Sequence, residues 1–271
     1  MNKREEKFVA MVWEYYKRHG RRSLPWRLTK NPYDIHVSEI MLQQTQVDRV
    51  LPKYEAFLKK FPTVETLAMA SLAEVLKQWQ GLGYNSRAKR LHECAVTIHR
   101  ALYGEYPRTY ERLVELPGIG PYTAGAIMAF AYNKPVPVIE TNIRTVFLYH
   151  FFKHKTDVDD KDILKLIEKT LDTQNPREWY WALMDYGAYL KKTQGNPNSK
   201  STSYTKQSTF KNSDRQIRGA LVRLLTENKC TRKKLLQILA EFEDIRVDAQ
   251  LEKLMQEGMV EKNKQMYQLP S

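Results

Sequence analysis

The chain has 271 residues, 42% of them apolar and 28% charged, and a formal net charge of +13. That length supports a buried core and two or three domains, and the positive surplus suits a polyanionic partner, most simply nucleic acid, against the plainer reading of a basic, solvated surface. Two cysteines, Cys94 and Cys230, exclude a disulfide scaffold, a four-cysteine cluster and a zinc site of that type.

In chain order, residues 1–20 are charged and amphipathic, which argues against a signal peptide, and no apolar run is long enough to span a membrane. Residues 35–50, IHVSEIMLQQTQVDRV, place Glu39 among Val37, Ile40, Met41 and Leu42. A carboxyl held among apolar groups resists ionisation and can act as an acid near neutral pH. The following Gln43, Gln44, Thr45 and Gln46 suit base edges or insertion into a base stack, or simply a solvated face. Residues 63–80 and 86–104 repeat apolar residues at helical spacing. Short breakers such as SLPWR, NPY, GLGYN and PGIGP separate the helices.

In residues 113–132, LVELPGIGPYTAGAIMAFAY, a helix is expected to end at Leu116 and another to start near Tyr122. Gly118 and Gly120 permit the tight turn and a close approach of another chain. The free N–H groups of the second helix suit a phosphate. An ordinary helix corner is the plainer reading. After Pro-Val-Pro-Val-Ile, Glu140 precedes a new helix together with Thr141 and Asn142, where its charge is favoured by the helix dipole. Residues 191–213 are rich in Ser, Thr, Asn and Lys and lack periodicity, so they read as a long loop. Three further helices, in 214–228, 230–242 and 246–259, precede an alternating segment, 259–269, with a Lys-Asn-Lys tip. That is the pattern of a winged helix-turn-helix module. Strand signals are nearly absent before residue 258.

The motifs SLPWR, VSEIMLQQTQV, WQGLGYNSRAKRL, LPGIGPYTAGAI and the acidic-x-Asn sequence at Glu140 occur in this order and register. Together they closely resemble the adenine-excising mismatch glycosylases of the helix-hairpin-helix superfamily, in its endonuclease III branch, over residues 20–190. The resemblance implies an all-α, two-part helix-hairpin-helix glycosylase fold. Residues 28–135 would form a six-helix module with the hairpin, and 1–27 with 136–190 the second helical part. Residues 191–213 would be a loop replacing an iron–sulfur loop, and 214–271 the winged-helix-like module. The partner would be double-stranded DNA with a mismatched or damaged base, flipped out for attack. The protein would act as a monomer in the cytoplasm, at the nucleoid.

The resemblance also implies roles. Glu39 would be the general acid, Glu140 the carboxylate that stabilises the sugar cation, and Asn142 its support. Tyr122 stands where bifunctional relatives carry a Schiff-base lysine, so the enzyme would be monofunctional, without lyase activity. Gln44 would wedge into the gap left by the flipped base, Tyr84 would intercalate, and Arg27 would line the base pocket. Arg87, Gly118 and Gly120 would complete the DNA contacts. A structural monovalent cation would sit on the backbone carbonyls of Val114, Leu116 and Ile119.

Three departures stand out. Glu140 replaces an aspartate, moving the carboxylate by about 1.5 Å, one C–C bond, a distance to which catalytic geometry is sensitive. Lys191, Asn198, Ser201 and Gln207 fall at the four cluster-ligand positions. None is a thiolate, so no iron–sulfur cluster is expected and the loop must be held by something else. The winged module stands in place of the longer domain that in these relatives checks an opposite 8-oxoguanine. The expected activity is hydrolysis of the N-glycosidic bond of adenine opposite guanine or 8-oxoguanine. Excision of thymine or uracil opposite guanine, and a DNA-binding protein without catalysis, are the alternatives.

Overall fold

A computed structural model describes residues 1–270. In chain order its helices are α1 (Lys3–His19), α2 (Pro25–Leu28), α3 (Pro32–Leu42), α4 (Val47–Lys60), α5 (Val64–Met69), α6 (Leu72–Trp79), α7 (Ser86–Ala101), α8 (Tyr110–Val114), α9 (Pro121–Phe130), α10 (Thr141–Phe151), α11 (Asp160–Thr170), α12 (Pro176–Gln194), α13 (Asp214–Glu227), α14 (Arg232–Ile238) and α15 (Asp244–Gln256). Three short strands, β1 (Cys230–Thr231), β2 (Glu261–Asn263) and β3 (Met266–Gln268), lie near the end. No helix among the described residues is long and apolar enough to cross a membrane.

The chain forms two compact units. The first comprises residues 1–36, 107–115 and 119–206; the second comprises 37–106, 116–118 and 207–271. This division differs from the expected one: residues 28–36, 107–115 and 119–135, expected in the six-helix module, fall in the first unit, and the C-terminal segment, expected as a module of its own, falls in the second. For residues 119–135 the reason is visible in the packing of α9. A Cβ on its Gly125 would lie 3.0 Å from Val138 Cγ2, and Phe130 stacks on Trp181 of α12 at 6.1 Å. Arg177 closes the end of α9 by donating to the carbonyls of Phe130 and Ala131, as cations do at helix C-termini.

In the first unit α1 and α10 both pack on α12. Phe8 of α1 meets Phe147 at 5.3 Å and Trp179 at 6.3 Å. The helical period of α1 buries Phe8, Val12 and Tyr16 on one face, and Asn2 and Glu5 start it with a capping box. One buried charge cluster joins the segment after α1 to α12. Asp185 accepts two hydrogen bonds from Arg27, at 2.7 and 2.9 Å, and others from the Arg21 main chain and side chain. The side chains of Arg27 and Asp185 are only 3% and 2% exposed.

In the second unit, Arg87 at the start of α7 organises two loops. Its guanidinium donates to the carbonyls of Ile40, Met41 and Gln43, to Thr45 Oγ1, and to the carbonyls of Leu82 and Gly83. The C-terminus of α3 and the turn at 81–84 are thus tied to one side chain, whose pKa burial lowers to about 10. The second unit also contains the winged-helix arrangement anticipated for residues 214–271. Its sheet order is β1-β3-β2, antiparallel throughout, and Lys264, at φ 55°, makes the wing turn. Strand β1 was not foreseen. Two residues carry no periodicity, and Cys230–Thr231 become a strand only by pairing with Tyr267 and Met266; the helix expected from Cys230 starts at Arg232.

The 191–213 segment is also less irregular than expected. Helix α12 continues to Gln194, a single 3-10 turn spans Pro197–Lys200, and Ser201 forms a parallel bridge with Val158.

Asp185→Ala should destabilise the protein by roughly 3–5 kcal/mol, because it strands the Arg27 charge in the core. Denaturant melts would show this as a lowered midpoint; a loss under 1 kcal/mol, at about the value of an exposed pair, would show that the cluster does not anchor α12.

Candidate active site

Glu140 is placed by the residues before it. Pro135 and Pro137 have no N–H to satisfy, so the segment runs extended. Tyr180 of α12 holds it by donating to the Val136 carbonyl at 2.7 Å and accepting from Val138 N–H at 3.0 Å. Glu140 then becomes the N-cap of α10, with φ −140° and ψ 178°. Its Oε1 accepts from the N–H groups of Asn142 and Ile143, both at 2.7 Å, and its Oε2 from Asn142 Nδ2 at 3.4 Å. The carboxylate therefore satisfies free N–H groups of the helix and sits in its dipole.

Burial raises the Glu140 pKa. The two N–H groups, then Lys191 and Arg144, pull it back without cancelling the rise. Arg144 itself is held in a two-pronged pair with Asp160, both contacts 2.7 Å.

Close packing of α12 fixes the same turn from another side. A Cβ on Gly187 would lie 2.2 Å from the Asn142 carbonyl oxygen, so only glycine fits there. Asn198, 3% exposed, donates to the Thr141 carbonyl at 3.1 Å and to Thr145 Oγ1 at 2.7 Å. This amide stands at one of the four positions aligned with cluster ligands. Ser201, at another, is bridged to Val158, and Lys191 faces Glu140 electrostatically. Gln207 bonds Gln44 and Tyr84 in the second unit. The donor set offers an ammonium, two amides and a hydroxyl, which do not fit an iron–sulfur cluster. Among the described residues no group of three His, Cys, Asp or Glu could hold a metal. Cys94 and Cys230 are buried, and burial pushes the Cys94 thiol up to about 12, the inert form of a cysteine.

Tyr122 lies half-buried in the first turn of α9. Before it, α8 ends at Val114, two residues earlier than expected, because Glu115 already caps it. Gly118 makes the turn at φ 75°, and a Cβ there would come within 2.7 Å of Arg90 Cβ; Gly120 is the extended N-cap of α9. The carbonyls of Val114, Leu116 and Ile119 are neutral, hard oxygens, a donor type that suits an alkali cation.

In the second unit Glu39 is buried on α3, 5% exposed, and its chain neighbours Val37, Ile40 and Met41 are buried too. Gln44 and Tyr84 are exposed and left-handed, at φ 57° and 47°, conformations rare for residues other than glycine. Two further residues of the expected set have internal partners. The Arg27 guanidinium is committed to Asp185, and Arg87 spends its donors on the loop oxygens described above rather than presenting them outward.

The sequence matches the family described as "HhH-GPD superfamily base excision DNA repair protein" over residues 37–172. The chain belongs to this superfamily. Within the superfamily, it is 37% identical over 187 residues to the adenine DNA glycosylase of Buchnera aphidicola subsp. Baizongia pistaciae, covering 68% of this chain and 52% of that one. It is 51% identical over 129 residues to the adenine DNA glycosylase of Mycolicibacterium smegmatis, covering 47% and 44%. The chain thus spans about half the length of the curated relatives it matches. Among solved structures, a thermostable thymine-DNA glycosylase superposes with a TM-score of 0.61 at 28% identity, covering 69% of this chain and 87% of that one. The matched residues include the hairpin at 110–130 and Glu140.

A Glu140 whose folded pKa is raised costs stability when it ionises, and that cost is absent below the ordinary carboxylate range. Glu140→Gln keeps the accepting oxygen and removes the charge. Its Tm should equal or exceed that of the wild type at pH 7.5, with the difference shrinking toward about pH 4. A lower Tm at neutral pH would show that the carboxylate stabilises the helix more than its burial costs.

Proposed function

We propose that this chain is a monofunctional DNA glycosylase that excises adenine opposite guanine or 8-oxoguanine and needs no iron–sulfur cluster. The observation that carries the reading is the Glu140 carboxylate, set under the N–H groups at the start of α10 and supported by Asn142, with Glu39 as a second, buried carboxyl on α3. Cleavage of a glycosidic bond calls for one carboxyl as acid and one as anion.

Glu39 holds a proton and delivers it to the departing base, so that the base leaves neutral. Glu140, anionic, faces the positive charge that builds on the sugar as the C1′–N bond breaks. Asn142 steadies that carboxylate through its side-chain amide and main-chain N–H. Water then completes the reaction at C1′. Gln44 and Tyr84 act on the stacked bases around the vacated position, and the turn at Gly118 and Gly120 grips the phosphate backbone. The carbonyls of Val114, Leu116 and Ile119 would hold a monovalent cation that neutralises a phosphate. Arg27 and Arg87 act by holding α12 and the wedge loops in place.

Support for adenine comes from the relatives at 37% and 51% identity. The thymine-DNA glycosylase neighbour favours a second reading, removal of thymine opposite guanine. Incubating the protein with labelled duplexes carrying adenine, thymine, uracil or hypoxanthine opposite guanine or 8-oxoguanine, followed by alkali, separates the two. Adenine release is the expected result; release of thymine alone would transfer the assignment, and no release from any duplex would leave a binding protein.

Glu39→Gln should slow excision on the order of 10²–10⁴-fold, the usual worth of a general acid, while duplex binding persists. A rate within a fewfold of wild type would remove Glu39 from the mechanism. A lyase needs an amine to form a Schiff base with C1′, and Tyr122 is a phenol. Strand breaks should therefore appear only after alkali, borohydride should trap no efficient covalent complex, and Tyr122→Lys should introduce lyase activity. Efficient trapping by the wild-type protein would contradict the monofunctional reading.

A further inference from the structure

We propose that Gln207 and Arg215 are specificity-determining residues that bind Gln44 and Tyr84 into one preformed wedge for the base opposite the extruded one. The inference rests on the reading of Gln44 and Tyr84 as DNA-inserting side chains.

All four residues belong to the second unit. Gln207 Nε2 donates to Gln44 Oε1 at 2.9 Å and to the Tyr84 hydroxyl at 2.8 Å. Arg215, at the start of α13, donates to the same hydroxyl at 2.6 Å, and to Ser208 through its carbonyl at 2.7 Å and its Oγ at 3.3 Å. The Arg215 guanidinium also lies 5.7 Å from the Tyr84 ring centre, and that of Arg87 5.6 Å from it. The ring thus meets two cations while it stays 39% exposed.

Such an arrangement is what recognition by insertion requires. A residue that enters a base stack must lose its rotamer freedom, and a side chain already fixed in place loses less on binding. Gln44 and Tyr84 hold left-handed backbone conformations that persist only where the surroundings over-determine them, and two loops carrying them are joined by Gln207. Arg215 brings the winged module to the same point, because α13 is its first helix. The segment aligned with the missing cluster therefore ends on the recognition surface, and its fourth ligand position is the residue that ties the wedge together.

A bare phosphate contact is the competing role for Arg215, and it makes different predictions. A phosphate contact contributes to the salt dependence of binding to any duplex and is served nearly as well by lysine. A wedge fixed by a planar fork needs arginine. The test compares binding to a duplex with adenine opposite 8-oxoguanine and to the fully paired duplex, in a Glu39→Gln background, for Arg215→Ala, Arg215→Lys, Gln207→Ala and Tyr84→Ala. The first three should each lower the mismatch-to-paired affinity ratio about tenfold, near the upper end of what one ordinary hydrogen bond contributes, with the salt slope unchanged. If Arg215→Ala lowers the slope by about one charge and Arg215→Lys restores both slope and ratio, Arg215 is a phosphate contact and the proposal fails. It fails equally if Tyr84→Ala lowers the ratio while the Gln207 and Arg215 variants do not. If Tyr84→Ala leaves the ratio unchanged, the insertion reading itself is wrong.

Discussion

The absence of a side chain at Gly187 lets α12 lie directly on the main chain of Asn142. At 2.2 Å from a hypothetical Cβ, that carbonyl leaves no room for alanine, so the start of α10 is pinned by backbone against backbone. Other anchors of the first unit lie on or beside the same helix. Tyr180, two turns earlier on α12, fixes the extended segment leading to Glu140. Asp185, between them in sequence, receives Arg21 and Arg27. Asn198, just past the end of α12, closes onto Thr141 and Thr145. One helix thus carries the anchors for the carboxylate, its N-cap geometry and the charge cluster behind it.

The net charge of +13 gives a poor guide to where DNA would be gripped, because many of the arginines are occupied internally. Arg27 and Arg87 are spent on Asp185 and on loop carbonyls, Arg144 on Asp160, and Arg177 on the end of α9. In the winged module Arg218 pairs with Glu257, Arg232 with Asp248 and Arg246 with Asp214. Helix α15, which would enter the groove in a DNA-reading winged helix, carries Asp244, Asp248 and Glu252 against Arg246 and Lys253. That helix brings no cationic surplus to a phosphate backbone, and the module's Arg215 bonds instead to the Tyr84 hydroxyl.

Features governed by local rules were legible in the sequence. The Pro-Gly-Ile-Gly turn needs a left-handed residue and Gly118 supplies it. Glu140 follows two prolines and precedes a helical run, so its N-cap position could be read directly. The apolar neighbours of Glu39 announced its burial, and the Lys-Asn-Lys tip announced the wing. Contacts between distant irregular segments were not legible. Arg27 reaches Asp185 across 158 positions and Asn198 reaches Thr145 across 53, and neither pairing leaves a periodic trace. Gln207 looked like a lost ligand within a featureless loop, and only the fold brings it to Gln44 and Tyr84. Strand β1 was hidden for the same reason, since its identity comes from its partner.

We propose the Glu140 carboxylate as the anion that meets the sugar cation. Single-turnover excision of adenine from a duplex carrying it opposite 8-oxoguanine, compared among the wild type, Glu140→Asp and Glu140→Gln, tests this most directly. The account predicts that Glu140→Asp keeps or raises the rate and that Glu140→Gln is nearly inactive. Turnover by Glu140→Gln at the wild-type rate would contradict it.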